Sequence, residues 1–140
     1  MIGIIISGHG NFATGMMSPL ELIAGKQENL IGVDFTINDS TETLETKIKK
    51  AIDELKNCEG ILFLTDIAGG SPFKTCVLLS REMENTKVVA GTNLGMLLEV
   101  SLNRDSVSVE ELKNMALKSG NDSIKAYEAK SRKHASNSGI

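Results

Sequence analysis

The sequence predicts an α/β domain built on a doubly wound, mostly parallel sheet. Four strands in the order 2-1-3-4 carry helices on both faces. Three observations predict it. Four short apolar runs are nearly continuous rather than alternating, as in strands buried on both faces. Stretches with helical spacing of apolar residues fill the gaps between those runs, and a strict β-α alternation winds into a parallel sheet with right-handed crossovers. The chain of 140 residues, 41% of them hydrophobic, fits one domain with a real core.

The first strand is expected over Ile2 to Ser7, an apolar start that breaks into Ser7-Gly8-His9-Gly10. It lacks a basic leading region and is too short to span a bilayer, so it reads as a buried strand of the mature protein. Phe12 to Ala24 follows as a helix that stops at Gly25, with a kink or break expected at Pro19. Leu30 to Phe35 is the second strand. Asp39 to Lys56 is a helix opened by Asp39-Ser40-Thr41-Glu42, a capping-box pattern, with Leu44, Ile48, Ile52 and Leu55 on one face. Gly60 to Thr65 is the third strand. Ser71 is expected to cap a helix with Pro72 at its first position, running to about Met83. Thr86 to Ala90 is the fourth strand, Leu94 to Leu102 a short helix, and Ser108-Val109-Glu110-Glu111 a capping box opening a last helix that ends near Gly120. Local sequence leaves Ser123 to Ala129 open between strand and helical end. Residues 1–129 form the domain, and 130–140, polar and rich in small residues, read as a flexible tail.

A net charge of −3, from 15 basic and 18 acidic residues, argues against a nucleic-acid binder, which would need a concentrated basic face. Cys58 and Cys76 have neither a metal-ligand spacing nor the density of a disulfide scaffold, which points to free thiols and a cytoplasmic setting. No metal site is expected. His134, the second histidine, reads as a solvated tail residue.

In open parallel sheets ligands bind beyond the carboxyl ends of the strands, where strand order reverses. The turns there are Ser7-Gly8-His9-Gly10-Asn11, Asp66-Ile67-Ala68-Gly69-Gly70-Ser71-Pro72 and Gly91-Thr92-Asn93. If the first and third strands are neighbours, His9 and Asp66 face each other. A carboxylate accepting from Nδ1–H fixes the imidazole tautomer and leaves the Nε2 lone pair free to attack phosphorus. Gly70, the Ser71 hydroxyl and the helix start behind them would stabilise a phosphoryl group in transfer, and the helix start at Gly10 would add donors beside His9. The plainer reading makes the glycines simple turns and Asp66 a turn cap. The coincidence of histidine, carboxylate and helix start at strand ends favours chemistry.

These segments are familiar in combination. Gly3-Ile4-Ile5-Ile6-Ser7-Gly8-His9-Gly10, Gly60-Ile61-Leu62-Phe63-Leu64-Thr65-Asp66 with Gly69-Gly70-Ser71-Pro72-Phe73, and Val89-Ala90-Gly91-Thr92-Asn93-Leu94-Gly95-Met96-Leu97-Leu98-Glu99 resemble the IIA component of the mannose family of the phosphoenolpyruvate-dependent sugar phosphotransferase system. The resemblance implies that His9 is phosphorylated at Nε2, that Asp66 holds its ring, and that Ser71 lies near the phosphoryl group. It implies HPr as donor and a histidine of the IIB component as acceptor, with the membrane components IIC and IID downstream. It further implies that no cofactor is needed and that the protein is a homodimer. A C-terminal strand, antiparallel to the rest, would be exchanged between its subunits and would occupy Ser123 to Ala129. Ile67-Ala68 departs from mannose-type members, which carry a bulky aromatic there, and resembles the branch used for amino sugars. The IIA component does not touch the sugar. Two alternatives stand beside this reading: a phosphoryl donor subunit for dihydroxyacetone kinase, and a non-catalytic phosphate-binding or regulatory module.

Overall fold

The computed structural model describes residues 1–130. The expected tail 130–140, with His134, lies outside the described residues but for Lys130. The elements run β1 (Gly3–His9), α1 (Phe12–Ala24), β2 (Leu30–Phe35), α2 (Thr41–Glu54), β3 (Ile61–Thr65), α3 (Ser71–Ser80), β4 (Thr86–Val89), α4 (Leu94–Asn103) and α5 (Val109–Asp122). The strands form one parallel sheet in the order β2-β1-β3-β4, as expected.

The pleat sorts the core into two layers. Ile4 and Ile6 of β1, with Leu62 and Leu64 of β3, face α1, α4 and α5 through Leu20, Leu97, Val100, Leu112 and Ala116. Ile5, Val33, Ile61 and Phe63 face α2 and α3 through Leu44, Ile48, Ala51 and Cys76. Successive strand residues point to opposite faces, so a strand covered on both must be apolar throughout. All five residues of β3 are buried accordingly.

Several local expectations shift. Pro19 does not break α1, which runs as one element to Ala24 and ends on Gly25, whose φ is +81°. Leu20 is fully buried there, and that packing holds the helix across the missing proline N–H. The α2 box forms one residue later than expected. Ser40 caps the Thr43 N–H at 3.1 Å and the Thr43 hydroxyl returns to Ser40 N at 2.8 Å. Asp39 is occupied elsewhere, accepting from Thr36 N at 2.8 Å and Lys47 Nζ at 3.0 Å. At α3, Gly70 rather than Ser71 is the cap, and Ser71 is the first helical residue. The Ser108 box at α5 forms as expected, with Glu111 as its partner.

At the far end of the sheet Arg104 closes the structure. It is 2% exposed, and its guanidinium donates to the carbonyls of Ile2, Glu28 and Asn29. Burial lowers its pKa. Main-chain oxygens take up the Nη groups, so the cation needs no carboxylate partner, while its buried Nε makes no hydrogen bond. The segment after α5 does not form a fifth strand within the chain: residues 124–130 have no regular structure and are exposed. The segment does not take up the open edge of β4.

Candidate functional site

His9 is the last residue of β1 and Asp66 follows β3 directly, so the β1–β3 pairing sets them side by side. One carboxylate oxygen, Asp66 Oδ2, accepts from the His9 main-chain N–H at 2.9 Å and lies 2.7 Å from His9 Nδ1. The other, Oδ1, accepts from Ile67 N at 2.8 Å. Burial pushes the Asp66 carboxyl upward, but the hydrogen bonds from His9 N, the His9 ring and Ile67 N outweigh it and hold the pKa below the ordinary value. Asp66 is therefore ionised at neutral pH and acts only as an acceptor, which makes Nδ1 the protonated nitrogen and leaves Nε2 with its lone pair. The Asp66 side chain is 16% exposed and the His9 side chain 48%, so the ring stands at the surface on a buried support.

The expected residues divide in what they offer. Ser71 opens α3, which no side chain caps, so the first-turn N–H groups of Ser71 and Phe73 keep their capacity for an anion. Gly70 passes so close to His9 that a Cβ there would lie 2.8 Å from His9 Cε1. Its glycine identity is a requirement of the ring. Gly10 has φ +60°, and its N–H already donates to Phe35 O at 2.8 Å. It turns the chain into α1 and is no free donor, which corrects the expectation that it offers an N–H to phosphoryl oxygens. The start of α1 is also partly taken, because Asp34 at the end of β2 accepts from Thr14 N at 3.0 Å and from the Thr14 hydroxyl at 2.6 Å. Of the four helices that follow strands, α1 has Asp34, and α2 and α4 have their caps Ser40 and Asn93, so α3 is the one that starts without a side-chain acceptor.

Phe35 and Asp34 escaped the sequence, and the turn after β4, named there, has a role the sequence did not show. Phe35 meets the His9 ring in a T-shaped contact, with centroids 5.7 Å apart and planes at 69°. Gly91 N donates to Asp66 O at 2.7 Å and Thr92 N to Thr65 O at 3.1 Å, so the turn after β4 anchors the main chain that carries Asp66. Asp34 is the cap just described. Nothing local marks these roles; each depends on strand register. Chemically, the assembly is an oriented, surface-exposed imidazole nucleophile beside an uncapped helix start. Among the described residues no group of three or more His, Cys, Asp or Glu side chains converges to hold a metal ion, and no helix is long and apolar enough to cross a membrane.

Comparison with known proteins agrees with this fold. The family model EIIA-man, described as PTS system fructose IIA component, matches residues 3–117. The chain is 36% identical over 130 residues to the PTS system mannose-specific EIIAB component of Escherichia coli (strain K12), covering 92% of this chain and 40% of that protein. It is 35% identical over 114 residues to the PTS system fructose-specific EIIA component of Bacillus subtilis (strain 168), covering 81% of this chain and 78% of that one. The crystal structure of phosphotransferase system component EIIA from Streptococcus agalactiae superposes with a TM-score of 0.83 at 38% identity, covering 90% of this chain and 97% of that one. The chain thus spans about 40% of the length of its mannose-specific relatives.

Proposed function

This chain belongs to the EIIA-man family of phosphotransferase system IIA components, and on that premise we propose that it is a phosphocarrier that takes a phosphoryl group from phospho-HPr on His9 Nε2 and passes it to a histidine of the cognate IIB component. The observation that carries the reading is the 2.7 Å contact between His9 Nδ1 and Asp66 Oδ2.

In the accepting step the Nε2 lone pair attacks the phosphorus of the donor's phosphohistidine. A new N–P bond forms as the old one breaks, and the donor's imidazole recovers its electron pair. The His9 ring becomes cationic, with its Nδ1 proton still held by Asp66, whose charge stabilises it. The transferring group spreads negative charge over three oxygens, and the uncapped α3 start and the Ser71 hydroxyl stabilise that charge. Transfer to IIB is the same exchange in reverse. The half-exposed ring suits both steps, since two different protein surfaces must reach one nitrogen. IIC and IID would use phospho-IIB to phosphorylate an incoming sugar, and the setting of the chain would be cytoplasmic. The Ile67-Ala68 loop carries no information on that sugar.

We also propose that the chain works as a homodimer exchanging the segment 124–129 as an antiparallel strand. β4 is an edge strand with one neighbour, and Ile124 and Tyr127 stand 75% and 91% exposed beyond α5.

The deciding experiment is intact mass after incubation with phosphoenolpyruvate, the general phosphotransferase enzyme and HPr. The expected result is an acid-labile gain of one phosphoryl group that His9→Ala abolishes without loss of fold. No gain, with both upstream components shown to be active, would leave a non-catalytic phosphate-binding module.

A further inference from the structure

We propose that Phe35 and Gly70 are positioning residues that hold the His9 imidazole on the sides Asp66 does not hold, so that Nε2 alone is presented; this rests on the phosphocarrier reading above. One hydrogen bond to Nδ1 fixes a distance, but the ring can still swing about it. The structure supplies two further contacts.

The first is Gly70, where even a methyl group would lie 2.8 Å from His9 Cε1 and 3.0 Å from Ile67 Cγ2. The Gly70 main chain thus abuts the ring edge between the two nitrogens. The second is Phe35, the register partner of His9 across β1 and β2, whose ring meets the imidazole at 69°. Phe35 is itself fixed. Its carbonyl accepts from Gly10 N at 2.8 Å, and its side chain is partly buried against the core layer under α2 and α3. An aromatic edge contact of this kind has a preferred geometry that a flexible aliphatic side chain does not reproduce.

The chemistry requires such a clamp. In-line attack depends on the alignment of the Nε2 lone pair with the breaking N–P bond, and small misplacements of a reacting group cost large factors in rate. A ring free to swing would also populate the other tautomer, with Nε2 protonated and unreactive.

The test uses the full chain carrying His134→Gln, so that His9 is the sole histidine. Imidazole ¹⁵N NMR reads its tautomer, and rapid-quench transfer from phospho-HPr reads rate against donor concentration. Phe35→Leu and Gly70→Ala are expected to populate the Nε2–H tautomer. Each should also lower the saturating transfer rate by about tenfold to a hundredfold, with half-saturation nearly unchanged. Phe35→Tyr, which keeps the aromatic edge, should stay close to the parent. If Gly70→Ala does not fold, the Phe35 pair decides alone. A parental tautomer and rate in Phe35→Leu would overturn the proposal, and so would a change confined to half-saturation, which would make Phe35 a docking surface. Failure of the parent chain itself to accept phosphate would refute the phosphocarrier reading, while the tautomer ratios would still judge the clamp.

Discussion

A single oxygen, Asp66 Oδ2, grips His9 twice, through its main-chain N–H and its ring. That double grip ties the position of the nucleophile to its protonation state, and it makes Asp66→Asn a sharp probe. An amide placing its oxygen inward keeps both contacts but loses the charge that stabilises the ring as it turns cationic. An amide placing its nitrogen inward opposes two donors with a third. Either way transfer from phospho-HPr should slow by about a hundredfold while phosphate still becomes attached, because the nucleophile remains. Single-turnover rapid quench with excess donor measures this, and parental rates would remove Asp66 from the mechanism. His9 and Asp66 were legible in the sequence because each sits in a turn directly beyond an unmistakable apolar run. Phe35 was not, because within Leu30 to Phe35 it looks like any core strand residue. Only the register that pairs it with His9 gives it a second task.

The helix starts show how local signals and tertiary partners divide the work. Asp39, Ser40 and Thr41 are all plausible caps for α2. Thr36 and Lys47 decide among them by occupying Asp39, and the cap passes to Ser40. At α3 the residue before a proline is expected to stay extended. The last extended residue is instead Gly70, one position earlier, with φ −74° and ψ 166°. The Asp39 cluster predicts a pH dependence. The Thr36 N–H, then Lys47, then the Thr36 hydroxyl hold the Asp39 carboxyl far below the usual carboxylate range, against the upward push of burial. The native state therefore binds the proton more weakly than the unfolded chain. The stabilisation is fully present above the ordinary carboxylate pKa of about 3.9 and is lost as pH falls through the lower native value. Asp39→Asn should lower the urea midpoint at neutral pH, and the two proteins should converge as the medium becomes strongly acidic. A constant gap across that range would show that shape, not charge, is what Asp39 supplies.

The parallel, doubly wound sheet followed from four apolar runs and the alternation of helices. The fate of Ser123 to Ala129 did not, since local sequence leaves that segment open between strand and helical end. The structure does fix where that segment departs. Asn93 donates to Gly120 O at 2.9 Å and accepts from the Ser123 hydroxyl at 3.2 Å. Gly95 leaves room for this, since a Cβ there would lie 2.5 Å from Ser123 Cβ. The end of α5 is thus clasped to the start of α4, one residue beyond the Gly91-Thr92 turn whose N–H groups hold the Asp66 and Thr65 carbonyls. Because the clasp ends at Ser123, the domain does not need the following residues to close its core. A chain ending at Ser123 should keep the thermal transition of the folded domain and phosphoryl acceptance on His9. Its sedimentation should be that of a monomer, whereas the full chain should sediment as a dimer. In the proposed exchange the apolar surface of Ile124 and Tyr127 would drive association by leaving water, and the open edge of β4 would supply the main-chain partners an added strand requires. A full chain that stays monomeric at every concentration would refute the strand exchange. A truncated chain that still dimerises would move the interface to the helices.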